Sequence, residues 1–564
     1  MNSILMEIGF LFLFATVAAF LVRLLKQPVL PFFIIAGIIA GPILHLISPS
    51  PLILSLSEAG IAFLLFIVGI EMNFGKIEKS SKVIKYAALT AMAQLIVFAL
   101  LGLLLGRLFH LNQLYSFYLA LAITFSSTMI VVKLLTDKGE LLTIHGKSAI
   151  TILLIQDVFA IIALIFISSL NELSFIHLGS IFLKTILLFL VAFALRKLAY
   201  HHLFKFAACS QELLFLLTIS IVLGFGILSN YLGLSIAIGA FVAGVSLAGS
   251  DFAYEISIKV RPLRDFFATL FLVTLGLLIV PTALKGSLLL IIAIILVSVL
   301  LKPLFIFFSL LIFNFRASSS LRTALYLGQI SEFVLVAGLI GIAHNQIDER
   351  LFSIITASFI ATAVISSYFI TYMRFFTDRL NDLAKKFERP GAHLYEKLPK
   401  KLENHAVIFG YHRTGEKIVE TLKKMGITLI VVDFNPDIID ELEQKDINHL
   451  YGDMADKEIL DKMNLHKTSI VVSTIPNVNQ NIAMIEQVRK SNPKATIYVT
   501  AKEIEEALEL YETGASYVIL PHFLGGEETS LLIERFSGDE DRLVKIKEAH
   551  LNELKKDLGR FGKK

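Results

Sequence analysis

Long apolar runs separated by short polar segments fill the first two thirds of the chain. A membrane-spanning helix needs about 20 mostly apolar residues. The pattern therefore predicts thirteen transmembrane helices, near residues 4–24, 28–46, 52–72, 84–108, 113–137, 146–171, 175–200, 213–229, 234–249, 266–281, 285–314, 320–345 and 351–376. The first run lacks a basic leading segment and a small-residue cleavage site, which favours a retained helix over a signal peptide.

Basic and neutral loops alternate between these runs. "RLLKQP", "TDKGELLTIHGK" and "SIKVRPLRD" carry Lys and Arg, whereas "HLISPSP", "SNYLG" and "PTALKG" are nearly free of them. Basic loops stay on the cytoplasmic side of a membrane. We therefore expect a multi-pass protein of the inner (plasma) membrane, with the N-terminus outside and the C-terminal tail in the cytoplasm.

Two apolar runs are interrupted at mid-length by small and polar residues, "AITFSSTMIVV" at 122–132 and "LGQISEFVLV" at 327–336. Ser and Thr bonded to their own helix backbone are one explanation. Interrupted helices in both halves of a chain are typical of secondary transporters built from inverted repeats. Occurring together, the two runs predict a crossover of broken helices.

Three ionisable residues lie near the middle of their runs: Asp157, Lys302 and Glu332. A charge there costs about 2.5–3.5 kcal/mol on insertion scales, so it marks a functional site unless a structural partner explains it. The predicted ion site comprises Asp157, Gln156, Lys302, Thr124, Ser126, Ser127 and Glu332, with a monovalent cation at Asp157.

Asp157 is the expected carrier of the ion. A carboxylate in the membrane is neutralised by a proton or by a cation, and competition between them amounts to cation/proton exchange. Gln156 is neutral, so the pair offers one titratable charge, which predicts electroneutral exchange of one proton per cation. A structural ion pair or helix cap is the alternative role for Asp157.

The other two charges have more than one interpretation. Lys302 lies in "LLKPLF", which also suits a Pro kink with a snorkelling lysine; its functional role would be to pair with a carboxylate or with the carbonyl ends of a broken helix. Glu332 would either contact the ion or satisfy freed backbone amides. Glu71 ends its helix on the cytoplasmic side and is left outside the predicted site.

After Tyr372 the chain takes on soluble α/β patterning. We predict a transmembrane exchanger domain at 1–378, a linker at 379–403, a Rossmann-like nucleotide-binding domain at 404–521 and a helical extension at 522–564. The fold class is thus a polytopic α-helical membrane protein joined to a cytoplasmic α/β domain.

A turn of dinucleotide-binding type follows the first strand of the tail, in "VIFGYHRTG". It matches G-x-x-x-x-G with His412 at the position of the middle glycine, and an acid ends the next strand, where it can accept from ribose hydroxyls. The predicted contacts are Gly410, Arg413, Gly415, Asp433, Phe434, Asn435, Gly452, Asp453, Met454 and Thr474. AMP, ATP and NAD(H) all fit this pattern, and a scaffold used only for dimer contacts is the alternative.

Composition narrows the function classes further. The chain has 564 residues, of which 55% are hydrophobic and only 17% charged, and its single cysteine, Cys209, excludes an intramolecular disulfide framework. Zinc-type Cys/His spacing, a Walker lysine loop and a nucleophile elbow are absent from the sequence. We therefore expect a transporter and not an enzyme.

The motifs "FSSTMIVVKLL", "HGKSAITILLIQD", "FIVGIEMNF" and "GQISEF", followed by the "VIFGYHRTG" tail, resemble the monovalent cation:proton antiporter-2 family, in particular Kef-type potassium/proton antiporters. The resemblance implies a homodimer of thirteen-helix protomers in which a six-helix core moves elevator-fashion. The tail would be a regulator-of-potassium-conductance (RCK) domain that pairs across the dimer, binds nucleotide and restrains transport.

Residue by residue, the resemblance implies that Asp157 carries the ion beside Gln156 and that Lys302 faces it. In the tail it matches Gly410, Arg413, Gly415, Asp433 and Asp453 to the nucleotide site. His412 departs from the Kef-type loop, so adenine nucleotide is expected there in preference to glutathione gating.

Three other functions are alternatives to this interpretation of the sequence. A sodium/proton antiporter would share the same fold. An RCK-gated potassium channel would need a "TVGYG"-type filter, and a membrane oxidoreductase using NAD(H) would need paired haem-ligating histidines in the membrane. The sequence contains neither of these last two features.

Overall fold

The computed structural model describes residues 4–24, 29–71, 82–167, 175–207, 209–250, 252–388, 396–397, 402–452, 454, 457–536, 547–548 and 550–551. The chain divides into two compact units, residues 1–394 and 395–564.

The first unit is helical. Its helices are α1 (Ile4–Leu24), α2 (Leu30–Ile38), α3 (Pro51–Glu71), α4 (Lys82–Leu108), α5 (Gln113–Thr124), α6 (Thr128–Asp137), α7 (Ile144–Ile167), α8 (Phe175–Leu195), α9 (His201–Ala207), α10 (Gln211–Tyr231), α11 (Ile236–Leu247), α12 (Ala253–Leu277), α13 (Pro281–Leu284), α14 (Leu288–Leu296), α15 (Lys302–Ile312), α16 (Ala317–Tyr326), α17 (Glu332–Ala343), α18 (Glu349–Thr371) and α19 (Met373–Lys385). Wider π-helical turns at Ile39–Ile43, Arg196–Tyr200 and Val297–Leu301 extend α2, join α8 to α9 and join α14 to α15.

The number of spans agrees with the apolar pattern. If each broken or π-bulged helix counts once, and the one-turn α13 and the amphipathic α19 are set aside, the described residues form thirteen helical segments. Eight candidate spans among the described residues are long and apolar enough to cross a membrane, judged by length and composition. Both predicted interruptions are real breaks, α5/α6 and α16/α17.

Three predicted helix boundaries are wrong. The helix expected at 175–200 continues through a π-helical turn into α9 and ends at Ala207. The helix expected at 266–281 is α12, which begins at Ala253, because the basic segment taken for a loop continues the helix through Pro262. The helix expected at 351–376 ends at Thr371, and after Tyr372 the chain starts the separate helix α19. This amphipathic helix occupies the first part of the predicted linker.

Glycines allow close helix packing in this unit. A Cβ on Gly37 of α2 would lie 2.0 Å from the Val273 carbonyl oxygen of α12. A Cβ on Gly69 of α3 would lie 2.5 Å from the Phe241 carbonyl oxygen of α11. Small residues let backbones approach in a membrane, where packing replaces the hydrophobic effect as the main source of helix association.

The second unit is an α/β domain. Its strands are β1 (Glu396–Lys397), β2 (His405–Phe409), β3 (Leu429–Asp433), β4 (His449–Tyr451), β5 (Thr468–Ser473), β6 (Thr496–Thr500) and β7 (Tyr517–Ile519), and its helices are α20 (Arg413–Lys424), α21 (Pro436–Gln444), α22 (Lys457–Lys462), α23 (Val478–Ser491), α24 (Ile504–Thr513) and α25 (Pro521–Phe536). The sheet order is β1-β4-β3-β2-β5-β6-β7, parallel except for β1.

This order is that of a Rossmann-like fold, in which strand order reverses between β2 and β5. Apolar strands buried in the middle of the sheet, such as "HAVIF" and "LIVVD", account for the parallel core. Of the C-terminal extension predicted at 522–564, the described residues include α25, whereas most of residues 537–564 lie outside them.

Candidate functional site

The first break separates α5 from α6 by three residues. Phe125 and Ser127 are extended, with φ/ψ of −86°/147° and −74°/116°. The Ser127 hydroxyl accepts from the Ile130 amide at 3.4 Å and so caps α6. Small hydroxyl residues make such a break possible because they satisfy backbone groups that lipid cannot.

The second break separates α16 from α17 and touches the first. Ser331 caps α17 by accepting from the Phe333 amide at 3.2 Å. The Ser126 hydroxyl donates to the Leu327 carbonyl oxygen at 3.0 Å. The Gln329 side-chain amide donates to the Ser127 carbonyl oxygen at 3.3 Å. The two breaks therefore form one crossover of four half-helices.

Lys302 lies at the carbonyl side of this crossover. Its side chain is fully buried, and its ammonium group donates to the Gln329 carbonyl oxygen at 2.8 Å and to the Phe125 carbonyl oxygen at 3.3 Å. Phe125 is the C-cap of α5, and Gln329 lies in the break that follows α16, so both oxygens lie just beyond helix C-termini, where the helix dipoles are negative. Of the two roles predicted for Lys302, the structure has the contact with helix carbonyls.

Glu332 lies on the opposite, amide side. It is buried at the start of α17, and its Oε1 accepts from the Met129 amide near the start of α6 at 3.4 Å. Both half-helix N-termini carry positive dipole ends. The lysine and the glutamate thus contact opposite poles of the crossover, and this contact of Glu332 is with a backbone amide.

Asp157 faces the crossover from α7. It is 2% exposed, and the Thr128 hydroxyl lies 3.0 Å from its Oδ1 and 2.9 Å from its Oδ2. Thr128 is the first residue of α6, so the acid is held against the end of a half-helix. A hydroxyl beside a carboxylate offers oxygen donors, which alkali cations prefer over nitrogen or sulfur.

Gln156 and Thr124 are joined across the first break by a series of hydrogen bonds. The Ser126 amide donates to Gln156 Oε1 at 2.8 Å, and Gln156 Nε2 donates to Gln94 Oε1 at 2.9 Å. Gln94 Nε2 donates in turn to the Thr124 carbonyl oxygen at 2.9 Å. Gln156 therefore binds the break directly, in addition to supplying an uncharged neighbour for Asp157.

A second polar cluster lies where the loop after α6 meets α16. Glu140 Oε2 accepts from the Tyr326 hydroxyl at 2.7 Å and lies 3.0 Å from His145 Nε2. Burial alone would raise the pKa of Glu140, but the partners His145 and Tyr326, with Lys138 nearby, lower it to about 2. Glu140 therefore stays ionised at neutral pH, and its contacts tie the half-helix α16 to α7.

In the α/β domain, the predicted loop has the backbone of a nucleotide-binding turn. Gly410 has a φ of +90°, and a Cβ on Gly415 would lie 2.1 Å from the Gly410 carbonyl oxygen. His412 directly precedes α20, so the first amides of this twelve-residue helix face the turn. Despite its missing middle glycine, the loop keeps the tight turn that a phosphate requires.

Asp433 and Thr474 border this turn. One carboxylate oxygen of Asp433 accepts from the Tyr411 amide at 2.9 Å and the other from the Asn435 amide at 2.8 Å. The Thr474 hydroxyl donates to the Phe409 and Gly410 carbonyl oxygens, both at 3.2 Å. Asp433 thus lies beside the turn at the end of β3, where an acid can accept from a ribose hydroxyl in folds of this kind.

The other residues predicted to contact the nucleotide follow strands β3 and β4 or begin helix α20. Phe434 and Asn435 follow β3, and Gly452 and the buried Met454 follow β4. The side chain of Arg413 and the whole of Asp453 lie outside the described residues. The described contacts meet at the carboxyl edge of the sheet, where ligands bind in folds of this kind.

The two units match two different families of known proteins. Residues 10–374 match the model of the sodium/hydrogen exchanger, transmembrane family, and residues 406–521 match the TrkA-N domain. The chain belongs to the sodium/hydrogen exchanger family. It is therefore a multi-pass cation/proton antiporter that carries a C-terminal TrkA-N domain.

Individual relatives of this exchanger span most of its length. The putative cation/proton antiporter YbaL of Escherichia coli K12 is 26% identical over 86% of the chain and 89% of its own length. The glutathione-regulated potassium-efflux system protein KefC of Klebsiella pneumoniae is 26% identical over 86% of the chain and 77% of its own length. The sodium proton antiporter MjNhaP1 of Methanocaldococcus jannaschii shares the fold, with a TM-score of 0.50 at 17% identity over 68% of the chain and 99% of MjNhaP1.

Sequence reasoning missed three side chains of the exchanger site. Thr128 was adjacent to the quoted serines, and its contact with Asp157 could have been anticipated from the end of the "FSST" run. Gln329 stood inside the quoted "LGQISEF". Gln94 had the weakest signal in the sequence. It is a lone amide in the apolar run "AMAQLIVF", and membrane helices usually place such a polar residue against a partner.

Proposed function

We propose that this exchanger moves K⁺ in one direction and H⁺ in the other, one for one, with Asp157 carrying each in turn. The observation that carries the proposal is the buried Asp157 carboxylate held by Thr128 at the crossover of two broken helices. A single acid at this position binds a proton or a cation but is costly to leave uncompensated. The remaining predicted ion-site residues hold the crossover around it.

Electroneutrality is supported by the contacts of Lys302. Its hydrogen bonds go to two backbone carbonyl oxygens, so its charge balances helix ends and need not be exchanged during transport. Gln156 adds no charge. One carboxylate that alternates between two monovalent cations transfers no net charge per cycle.

Potassium is favoured by the relative KefC, whose name describes potassium efflux. Sodium is the second candidate, because the matching family model is that of sodium/hydrogen exchangers. Cation choice depends on how closely the oxygens around Asp157 can approach the ion.

The test uses the full chain in proteoliposomes with a trapped pH dye. We expect a K⁺ pulse to drive proton movement without any electrical current on a supported membrane. Proton movement with Na⁺ alone would replace potassium by sodium in the proposal, and a current that tracks the cation gradient would exclude one-for-one exchange.

We further propose that the TrkA-N domain binds an adenine nucleotide, AMP, ATP or NAD(H), and that binding regulates exchange. Support comes from the Gly410–Gly415 turn at the start of α20 and from Asp433 beside it. The bound nucleotide would supply no chemistry; its phosphates would meet the amides of α20 and its ribose would meet Asp433.

Nucleotide binding is expected to raise the unfolding temperature of this domain in the intact, detergent-solubilised chain, because a ligand stabilises the state that binds it. AMP, ATP and NADH are added in turn, and differential scanning fluorimetry records the transition. Asp433→Asn should remove the shift, because one carboxylate oxygen becomes an NH₂ group that cannot accept from the backbone amide it faces or from a ribose hydroxyl. The exposed Glu505→Gln on α24 is the matched control and should keep the shift.

If none of the three nucleotides shifts the wild-type transition, the regulatory proposal is wrong and the scaffold interpretation remains. A shift of equal size in Asp433→Asn would remove this residue from the site.

The orientation and assembly follow from the loop charges and the resemblance. We propose an outside N-terminus, a cytoplasmic TrkA-N domain, and a homodimer whose protomers transport by an elevator motion. Domain boundaries near residues 378, 404 and 521 belong to the same proposal.

A further inference from the structure

Two buried glutamines join the two sides of the first helix break. Gln94 on α4 and Gln156 on α7 are both fully buried. Their hydrogen bonds run in series from the Ser126 amide, through Gln156 and Gln94, to the Thr124 carbonyl oxygen. We call Gln94 and Gln156 the amide clamp.

The direction of each hydrogen bond in the clamp is fixed by the backbone. The Ser126 amide can only donate, so the oxygen of Gln156 must face it. The amide nitrogen of Gln156 then faces Gln94, whose oxygen accepts. The nitrogen of Gln94 is left for the Thr124 carbonyl, which can only accept. Neither glutamine can be flipped without breaking two hydrogen bonds.

The clamp encloses Phe125, the residue between its two backbone anchors. The Phe125 carbonyl oxygen contacts Lys302, and Thr128, three residues further on, contacts Asp157. Gln156 is also the immediate neighbour of Asp157 on α7. Any shift of the clamp therefore changes the spacing between the acid and the backbone oxygens of the break.

We propose that Gln94 is a positioning residue that sets the cation selectivity of the exchanger by holding the α5–α6 break at a fixed distance from Asp157. The inference rests on the proposed function and deepens it. Gln94 acts through Gln156 and the Thr124 carbonyl. Sites of this kind need their oxygens placed within about 0.5 Å, which only a well-supported surrounding shell provides.

The second break supports this interpretation because it is held in a similar way. There Gln329 donates to the Ser127 carbonyl oxygen and accepts from the Ser366 hydroxyl on α18 at 2.7 Å. A side-chain amide thus anchors each break to a neighbouring unbroken helix. Fixed breaks in both repeats are what a site with a defined oxygen spacing requires.

The experiment measures half-saturating K⁺ and Na⁺ for proton exchange in proteoliposomes, for wild type, Gln94→Met, Gln156→Met and the double variant. Loss of a residue that orients ligands typically changes ion affinity by about 10–100-fold. We expect Gln94→Met to raise the half-saturating concentration of the preferred cation by about tenfold and to change the K⁺/Na⁺ ratio. Because the two glutamines act in series, the double variant should be no worse than the more affected single variant.

Gln346→Met is the matched control. Gln346 is also a buried glutamine, and its side chain accepts from the Tyr118 hydroxyl at 2.6 Å and donates to the Ile167 carbonyl oxygen at 2.9 Å. It lies away from the crossover, in the turn before α18. Its loss should lower the unfolding temperature and leave both half-saturating concentrations and their ratio unchanged.

Gln94→Asn is the second variant, to be measured in case Gln94→Met does not fold. It keeps a buried amide but is shorter by one methylene, so it cannot reach both partners, and it should change the ratio in the same direction. A wild-type ratio in a folded Gln94 variant, or additive effects in the double variant, would overturn the inference. Absence of exchange in the wild type with either cation would instead contradict the proposed function.

Discussion

Asp157→Asn is expected to abolish cation-driven proton exchange, with a residual rate at least about 100-fold below wild type. Asparagine has nearly the same size as aspartate and can still meet the Thr128 hydroxyl, so the fold should survive. It cannot bind a proton reversibly at neutral pH and offers no charge to a cation. The measurement is dye-monitored exchange in proteoliposomes, with the unfolding temperature recorded on the same preparation.

The matched control is Asp348→Asn. Asp348 is exposed at the start of α18, where its side chain accepts from the Leu351 amide at 2.9 Å. Asparagine is an equally good N-cap, so this variant should exchange at the wild-type rate. Normal exchange by Asp157→Asn would refute the proposed carrier.

Lys302→Met is expected to lower both the stability and the activity of the exchanger. It removes a cation that donates to the Phe125 and Gln329 carbonyl oxygens, and it leaves two buried helix ends without that compensation. A hydrogen bond from a charged group contributes about 1.5–3 kcal/mol, so the loss should be on the order of 3 kcal/mol. The unfolding temperature in detergent and the exchange rate in proteoliposomes measure the two effects.

Lys184→Met provides the comparison. Lys184 also interrupts an apolar helix, α8, but it is partly exposed and lies outside the crossover. Its substitution should be tolerated on both measures. If Lys302→Met were as stable and active as wild type, the charge compensation described for the crossover would have no energetic importance.

The breaks themselves were predictable from the sequence. Ser, Thr, Gly and Gln in the middle of two apolar runs signal backbone that does not remain helical, and "FSST" and "GQIS" gave both positions within a few residues. The alternating strands and helices of the tail likewise predicted the parallel sheet, because hydrophobic periodicity is a local property.

The partners of the site residues were not predictable in the same way. Lys302 was expected to find either a carboxylate or helix carbonyls, and only the meeting of α5, α15 and α16 decides between them. The contact of Gln94 with Gln156 joins residues that are 62 positions apart. Such contacts depend on how helices pack, which composition and periodicity do not encode.

Helix ends were the weakest part of the sequence-based predictions. Basic residues in "SIKVRPLRD" were interpreted as a loop, although α12 runs through them because a helix can continue into water with a charged first half. The sequence also could not distinguish one long final helix from α18 and α19, because apolar residues continue across Tyr372.

The central claim is that a proton and a monovalent cation compete for Asp157. It is tested most directly by adding K⁺ or Na⁺ to purified, protonated exchanger in weakly buffered detergent and measuring the protons released. The account predicts one proton released per cation bound by the wild type and none released by Asp157→Asn. Equal release from both proteins, or cation binding by the wild type without proton release, would contradict it.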